Sequence, residues 1–209
     1  VLYYNNNPNA MYTYKIEQAI KATAVLHLDQ VRKGVANLPF VTHPMSVMTI
    51  LRDYTEDENT LVAALLHDTV EDTDYTLDEM KEDFGKEVAD LVSTITEPCY
   101  SGERKLTWLE VKQAYAKQIK NGSKEAAMIS AADKTHNFRT MIEDYYEHHE
   151  EFIRDFGPNL DNRLEAYQNI SNAINNRLSD GIVHEFNQTF VAYKKFILDV
   201  KETYTKRHT

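Results

Sequence analysis

Residues 61–80 read LVAALLHDTVEDTDYTLDEM, and how the chain folds turns on this stretch. Its first six positions, Leu61 to Leu66, are apolar on every side. As a helix such a segment has no face to give to water and belongs inside a core. Four ionisable residues follow at once: His67, Asp68, Glu71 and Asp72. On a continued helix His67 and Glu71 stand about 40° apart, as do Asp68 and Asp72, so all four share a wedge of about 140°. Burying unpaired carboxylates costs on the order of several kcal/mol each, and a divalent cation would supply the missing partner. The plainer alternative is a helix that surfaces at His67, with its acids merely solvated.

A second segment shifts the balance. Residues 126–141 read AAMISAADKTHNFRTM, again a small apolar run that meets an aspartate. Asp133, Asn137 and Thr140 fall at i, i+4 and i+7, on one helical face. A carboxylate followed by two neutral hydrogen-bonding residues is a suitable lining for a pocket.

The flanks read as further helices. Ile16, Ala19, Ile20, Thr23 and Leu26 recur at helical spacing, predicting a helix from Tyr14 to about Lys33 that Gly34 caps. Pro44 opens a second helix to about Tyr54 from a first-turn position, with His43 at its mouth. The apolar run itself predicts Thr60 to about Val70. Thr76 and Glu79 form a capping box for Leu77 to Phe84, which Gly85 ends before Val88 to Ile95 resumes. Pro98 breaks the chain, and CYSGERK at 99–105 reads as an exposed loop. Leu106 to Ile119, Lys124 to about Tyr146, Asp161 to Leu178 and Ile182 to Tyr204 complete the set.

Composition agrees with an all-α fold, since only six Gly and five Pro punctuate 209 residues. The length suits one domain, read as residues 11–209. Residues 1–10, VLYYNNNPNA, are aperiodic and read as an added leader, with Met11 as the natural start. A net charge of −10 disfavours a nucleic-acid polymer as partner, because gripping polymeric phosphate takes many Lys and Arg. A small anion needs only a local cluster of cations, so that class stays open. The lone Cys99 forms no internal disulfide, and no segment has the apolar length of a membrane span, which points to a cytoplasmic protein without a membrane partner.

Taken together, HLDQVRK (27–33), PFVTHP (39–44), AALLHDTVEDTDYTLDEM (63–80), the FGKEV that follows and ADKTHNFRTM (132–141) resemble the HD superfamily, and within it the hydrolase domain of RelA/SpoT-type alarmone enzymes. The resemblance spans roughly residues 15–145 in matching order and separation. It implies a single all-α HD-type hydrolase domain of the stand-alone small alarmone hydrolase kind. Such enzymes remove the 3′-pyrophosphate from guanosine tetra- and pentaphosphate, the alarmones of the stringent response. Carried over by position, it implies that His43, His67, Asp68 and Asp133 hold one divalent ion, commonly manganese (Mn2+), and that Glu71 and Asp72 are the catalytic acidic pair. Arg32 and Lys33 fall on the family's substrate-binding basic pair, and Asn137 and Thr140 on positions near the purine. Arg163 and Tyr167, at i, i+4, match a substrate-lining stretch of the stand-alone hydrolases. The chain departs from the family in the loop GVANLPF (34–40). Three other readings stay open: an adenine alarmone as substrate, the 2′-phosphate of NADPH as substrate, or a catalytically idle alarmone-binding sensor. The intact Glu71 and Asp72 argue against the last. The oligomeric state is not legible.

Several residues with suggestive chemistry read more simply as structure. His27 and His136 suit hydrogen-bonded structural roles. Arg104 and Lys105 suit a solvated loop pair. Tyr145, Tyr146, His148 and His149 suit a polar helix end, and Cys99 has no basic partner to activate it.

Overall fold

The computed structural model describes residues 12–34 and 37–208. The proposed leader and the start at Met11 lie outside the described residues, as do Val35 and Ala36 of the divergent loop. Among the described residues the chain forms eleven helices and one short hairpin, so the all-α class holds. In order these are α1 (Tyr14–Leu26), α2 (Thr42–Arg52), α3 (Glu58–Leu66), α4 (Thr69–Asp72), α5 (Leu77–Phe84), α6 (Lys86–Ile95), α7 (Trp108–Asn121), α8 (Lys124–Tyr145), α9 (His149–Phe156), α10 (Leu160–Arg177) and α11 (Ile182–His208).

The apolar run forms the central helix. α3 starts at Asp57, whose carboxylate accepts from Thr60 N–H, and every residue from Thr60 to Leu66 is buried. It packs against α1, α2, α6 and α8. The helix does not run on to Val70. It stops at Leu66, and His67 and Asp68 turn the chain before the single turn of α4. Thr69 supports the break by donating its hydroxyl to the Leu66 carbonyl over 2.7 Å. The predicted single helix is thus interrupted at His67 and Asp68, although Asp72 N–H still bonds the Asp68 carbonyl over 3.0 Å.

α1 also ends early, at Leu26 rather than near Lys33. Its core face is Ile16, Ala19 and Thr23, whereas Val25, Leu28 and Val31 stand in solvent, so nothing apolar would hold a continuation down. Beyond Leu26 the chain instead doubles back: Arg32 N–H donates to the Leu38 carbonyl and Phe40 N–H to the Gln30 carbonyl, each over 2.9 Å. Gly34 is part of this return, not a helix cap.

α2 begins two residues before Pro44, which occupies the first turn where its missing N–H costs nothing. His43 lies in the first turn, at the mouth of the helix as expected, and is buried. α5 matches its predicted bounds, with both halves of the Thr76/Glu79 capping box formed. The CYSGERK stretch is exposed as expected but pairs into a hairpin, Tyr100–Ser101 with Arg104–Lys105, turning at Gly102 with φ +60°.

α8 is the second internal helix, buried from Ala126 through Thr135 with few interruptions. α11 lies along it. The contact is aromatic: Phe138 stacks on Tyr193 at 4.1 Å between centroids, with Phe186, Phe190 and Tyr167 around it. Such ring pairs add about 0.5–1.5 kcal/mol each beyond area burial, and here they fix the helix that carries Asp133.

Candidate metal centre

Three helices bring the donors together. His43 comes from the first turn of α2, His67 from the end of α3 and Asp133 from the middle of α8; their exposures are 1%, 4% and 6%. Their ligating atoms all lie within 4.8 Å of one another. Nε2 of His43 is 3.2 Å from Nε2 of His67 and 3.3 Å from Oδ1 of Asp133. Asp68 closes the group, with Oδ1 3.1 Å from His67 Nε2 and Oδ2 3.4 Å from His43 Nε2.

The outer atoms of these side chains are already occupied. His67 Nδ1 lies 2.8 Å from the Ala64 carbonyl, which places its proton there and its lone pair at Nε2. His43 Nδ1 meets Nδ1 of His136 at 2.8 Å. Burial and the neighbouring His43 push His136 down to about 3, so it serves as a neutral orienting partner. Oδ2 of Asp133 takes Nζ of Lys134 at 2.6 Å, and Oδ1 accepts from Asn137 Nδ2. This is the outer shell that metal-ligating imidazoles and carboxylates characteristically have.

The electrostatics have the same sense. Burial opposes charge on all four residues. The carboxylates nevertheless outweigh it at His67, pushing that imidazole up to about 9, and the imidazoles hold Asp68 at about 2. At His43 burial prevails, aided by His67, and its pKa is lowered. Two imidazole nitrogens 3.2 Å apart, each beside carboxylate oxygens, call for positive charge among them; in the metal-free protein a proton on His67 supplies it, and a divalent ion would take its place. A first-row divalent ion bound at about 2.1 Å sets neighbouring ligand atoms about 3 Å apart, and two imidazoles with two carboxylates suit a borderline metal. The donor set fits such an ion.

Beside this centre opens a cleft of about 400 Å³. Arg32, Lys33, Phe40, Asp72, Asn137 and Thr140 line it, so five of the residues assigned from sequence to substrate or catalysis share one recess. Arg32 Nη2 donates to Asn137 Oδ1 at 2.9 Å and lies 3.4 Å from the Thr140 hydroxyl. Glu71, the neighbour of Asp72 on α4, is not among the lining residues; its Oε1 accepts from the backbone N–H of Glu97. Although the residue is exposed, partial desolvation of its carboxylate and the like charge of Glu97 push Glu71 up to about 8, the range of a proton acceptor working near neutrality.

Arg163 and Tyr167 are not brought to this cleft. The Arg163 guanidinium is buried among Trp108, Phe152, Phe156 and Tyr167, 4.9 Å from the Phe156 ring centroid, and donates to the Phe156 carbonyl. Arg104 is held in a two-bond pair with Glu110. His149 bonds Thr203, His148 pairs with Glu151, and Cys99 is exposed.

Four residues with work at the site were not singled out from sequence. Gln30 donates to the Asp72 carbonyl over 2.7 Å while its Oε1 takes His27 Nδ1, tying the returning loop to α4. Glu97 flanks Glu71 and is itself paired with Lys112. Lys134 neutralises Asp133, and Asp144 lines the far end of the cleft. All are common residue types in helical strings, and only the Asp144 spacing from Asp133 could have marked one in advance.

The chain is 38% identical over 133 residues to a probable GTP pyrophosphokinase of Mycobacterium leprae, a match taking in 60% of this chain but 16% of that protein. It is 38% identical over 126 residues to the human guanosine-3′,5′-bis(diphosphate) 3′-pyrophosphohydrolase MESH1, covering 59% of this chain and 68% of the human protein. Among solved structures it resembles a metazoan orthologue of SpoT described as hydrolysing ppGpp, with a TM-score of 0.70, 25% identity and coverage of 87% of this chain and 96% of that one. Residues 19–156, which contain all four proposed ligands, match the HD domain model, and the chain belongs to the HD domain family.

Proposed function

We propose that this protein is a metal-dependent pyrophosphohydrolase acting on guanosine 3′,5′-bis(diphosphate) and its pentaphosphate, releasing pyrophosphate from the 3′ position and leaving GDP or GTP. The observation that carries the proposal is the junction of two features: a His, His, Asp cluster fit for a divalent ion, and a cleft beside it that presents Arg32 and Lys33. The names of the human and metazoan relatives support the same substrate.

In this reading His43, His67, Asp68 and Asp133 hold the ion, taken as manganese, and the substrate is a small nucleotide met in the cytoplasm. When bound, the ion supplies a Lewis acid that offsets phosphate charge and makes a water acidic enough to attack. Arg32 and Lys33 bind the anionic substrate, Arg32 being aimed by Asn137 and Thr140. Glu71, with its raised pKa, takes the proton of the attacking water at its carboxylate, and Asp72 lies on the cleft side to orient that water. Water adds to the phosphorus on the ribose 3′ oxygen, the phosphorus–O3′ bond breaks, and the 3′ oxygen leaves as a hydroxyl on taking up a proton.

The test is direct. Purified protein with manganese is offered guanine and adenine alarmones, deoxynucleoside triphosphates and NADPH, and products are identified by chromatography. Release of pyrophosphate and GDP from the guanine alarmone is the expected result. Release of phosphate from NADPH alone would replace this substrate with another while leaving the metal centre intact.

A further inference from the structure

α8 acts as a ruler along the cleft. Asp144 follows Asp133 by eleven residues, which is three turns, about 20° of rotation and about 16 Å along the axis. The helix thus places one carboxylate at the metal end of its inner face and a second at the far end. The two residues between them are already committed. Asn137 donates to Asp133 and accepts from Arg32, and the Thr140 hydroxyl meets Arg32 and the His136 carbonyl. Both side chains are thus partly engaged within the protein, Asn137 through one donor and one acceptor bond.

Asp144 is differently placed. It lines the cleft, partly buried, and among the described residues no hydrogen bond or ion pair engages its carboxylate; the charges of Glu143 and Arg32 act on it without touching it. Room for it is made by Gly34, which sits at φ +147° directly against it. A Cβ built on Gly34 would collide with Oδ2 of Asp144 and lie 3.3 Å from its Cγ. Only a residue without a side chain lets that carboxylate stay where it is. The walls nearby are flat and apolar: Phe40 lies under the Arg32 guanidinium and Phe156 under the Lys33 ammonium, each at 5.7 Å.

We propose that Asp144 selects the base, its two oxygens accepting the adjacent N1–H and N2–H donors of a guanine stacked in the cleft. The inference rests on the nucleotide reading above and deepens it. An ionised carboxylate only accepts, and guanine offers it two donors side by side, whereas adenine turns the N1 lone pair toward it beside a single amino group. Facing acceptor to acceptor leaves both unpaired in a recess, and sites built on such pairing discriminate strongly. The raised pKa of Asp144, caused by its recess and by Glu143, is what a ligand offering two donors would reverse.

Calorimetric titration of the manganese-loaded protein with GDP and with ADP tests this without depending on turnover. Wild type should bind GDP at least about tenfold more tightly than ADP. Asp144→Leu should erase that ratio chiefly by weakening GDP, and Asp144→Asn should shift it toward ADP, since an amide offers the acceptor and donor that the adenine edge requires. Gly34→Ala, which displaces the carboxylate, should follow the leucine variant. A ratio unmoved by both Asp144 variants, equal weakening of both nucleotides, or no GDP preference in wild type overturns the assignment. Hydrolysis is scored separately by pyrophosphate release from the guanine alarmone, so failure of the proposed reaction and failure of base selection give different results.

Discussion

Arg32 and Asn137 are joined by a 2.9 Å hydrogen bond across 105 positions of sequence, and the same Asn137 side chain donates to Asp133. One amide thus couples the cation expected to meet substrate to a carboxylate expected to hold metal. Asn137→Ala should therefore damage both without changing base preference. Releasing Arg32 should raise KM on the order of tenfold, the worth of one charge-assisted hydrogen bond. Loss of the bond to Asp133 should weaken metal binding by about tenfold. Steady-state kinetics on guanine and adenine alarmones, with a manganese titration alongside, check both halves; a changed base ratio would contradict the assignment of Asn137 to positioning.

His67→Ala and Asp133→Ala should both lose the bound ion, yet they should differ in stability. Asp133 also neutralises Lys134, which is buried at Nζ–Oδ2 2.6 Å with its ammonium 5.0 Å from the Tyr115 ring. Removing the carboxylate strands that ammonium, a change that typically costs about 3 kcal/mol or more. His67→Ala removes an imidazole from a crowded cluster and should cost less in the metal-free state. Elemental analysis and urea unfolding of the stripped proteins separate the two; stoichiometric metal in either variant would break the ligand set.

What could be read in advance follows the reach of the signals. The buried α3, the capping box of α5 and the shared face of Asp133, Asn137 and Thr140 are local patterns, and each stands in the structure. α1 ends at Leu26 because its apolar face ends there, although helical letters continue past it. α9 carries no local signal, since HEEFIRDF is short, acid-rich and lacks a side-chain cap, and it is held by Phe152 packing on Tyr145 and Phe196. The Gln30–Asp72 and Glu71–Glu97 contacts join residues 42 and 26 positions apart, and no spacing rule reaches that far. Arg163 and Tyr167 kept their i, i+4 relation, but it faces the aromatic core.

Glu71 gives a pH prediction whose sign can be worked out. Its folded pKa, about 8, lies above the ordinary 4.5, so the neutral form is favoured on folding. Stability from this group is fully present below about 4.5 and is lost as pH rises through about 8. Glu71→Gln does not titrate. In the metal-free protein the variant should therefore gain stability relative to wild type as pH is raised from 4.5 to above 8, with the relative midpoints read from urea unfolding at both ends. The same substitution should lower kcat on the order of a hundredfold in the loaded protein, as loss of a general base does. A pH-independent stability difference would show that Glu71 is not desolvated as described.

Arg163 supplies the sharpest separation of core from cleft. Its guanidinium touches four rings, donates to the Phe156 carbonyl, and meets no carboxylate among the described residues. Cation–ring contacts of this desolvated kind are worth about 2 kcal/mol together with the packing they fill, and truncation leaves a cavity as well. Arg163→Ala should accordingly lower unfolding free energy by about 2–4 kcal/mol. Phe156 forms part of both this cage and the cleft wall, so a small rise in KM is expected by displacement of its ring. Turnover per folded molecule should stay within a few-fold of wild type, measured at low temperature where the variant remains native. A variant of unchanged stability that lost turnover a hundredfold would return Arg163 to the substrate, as its spacing with Tyr167 first implied.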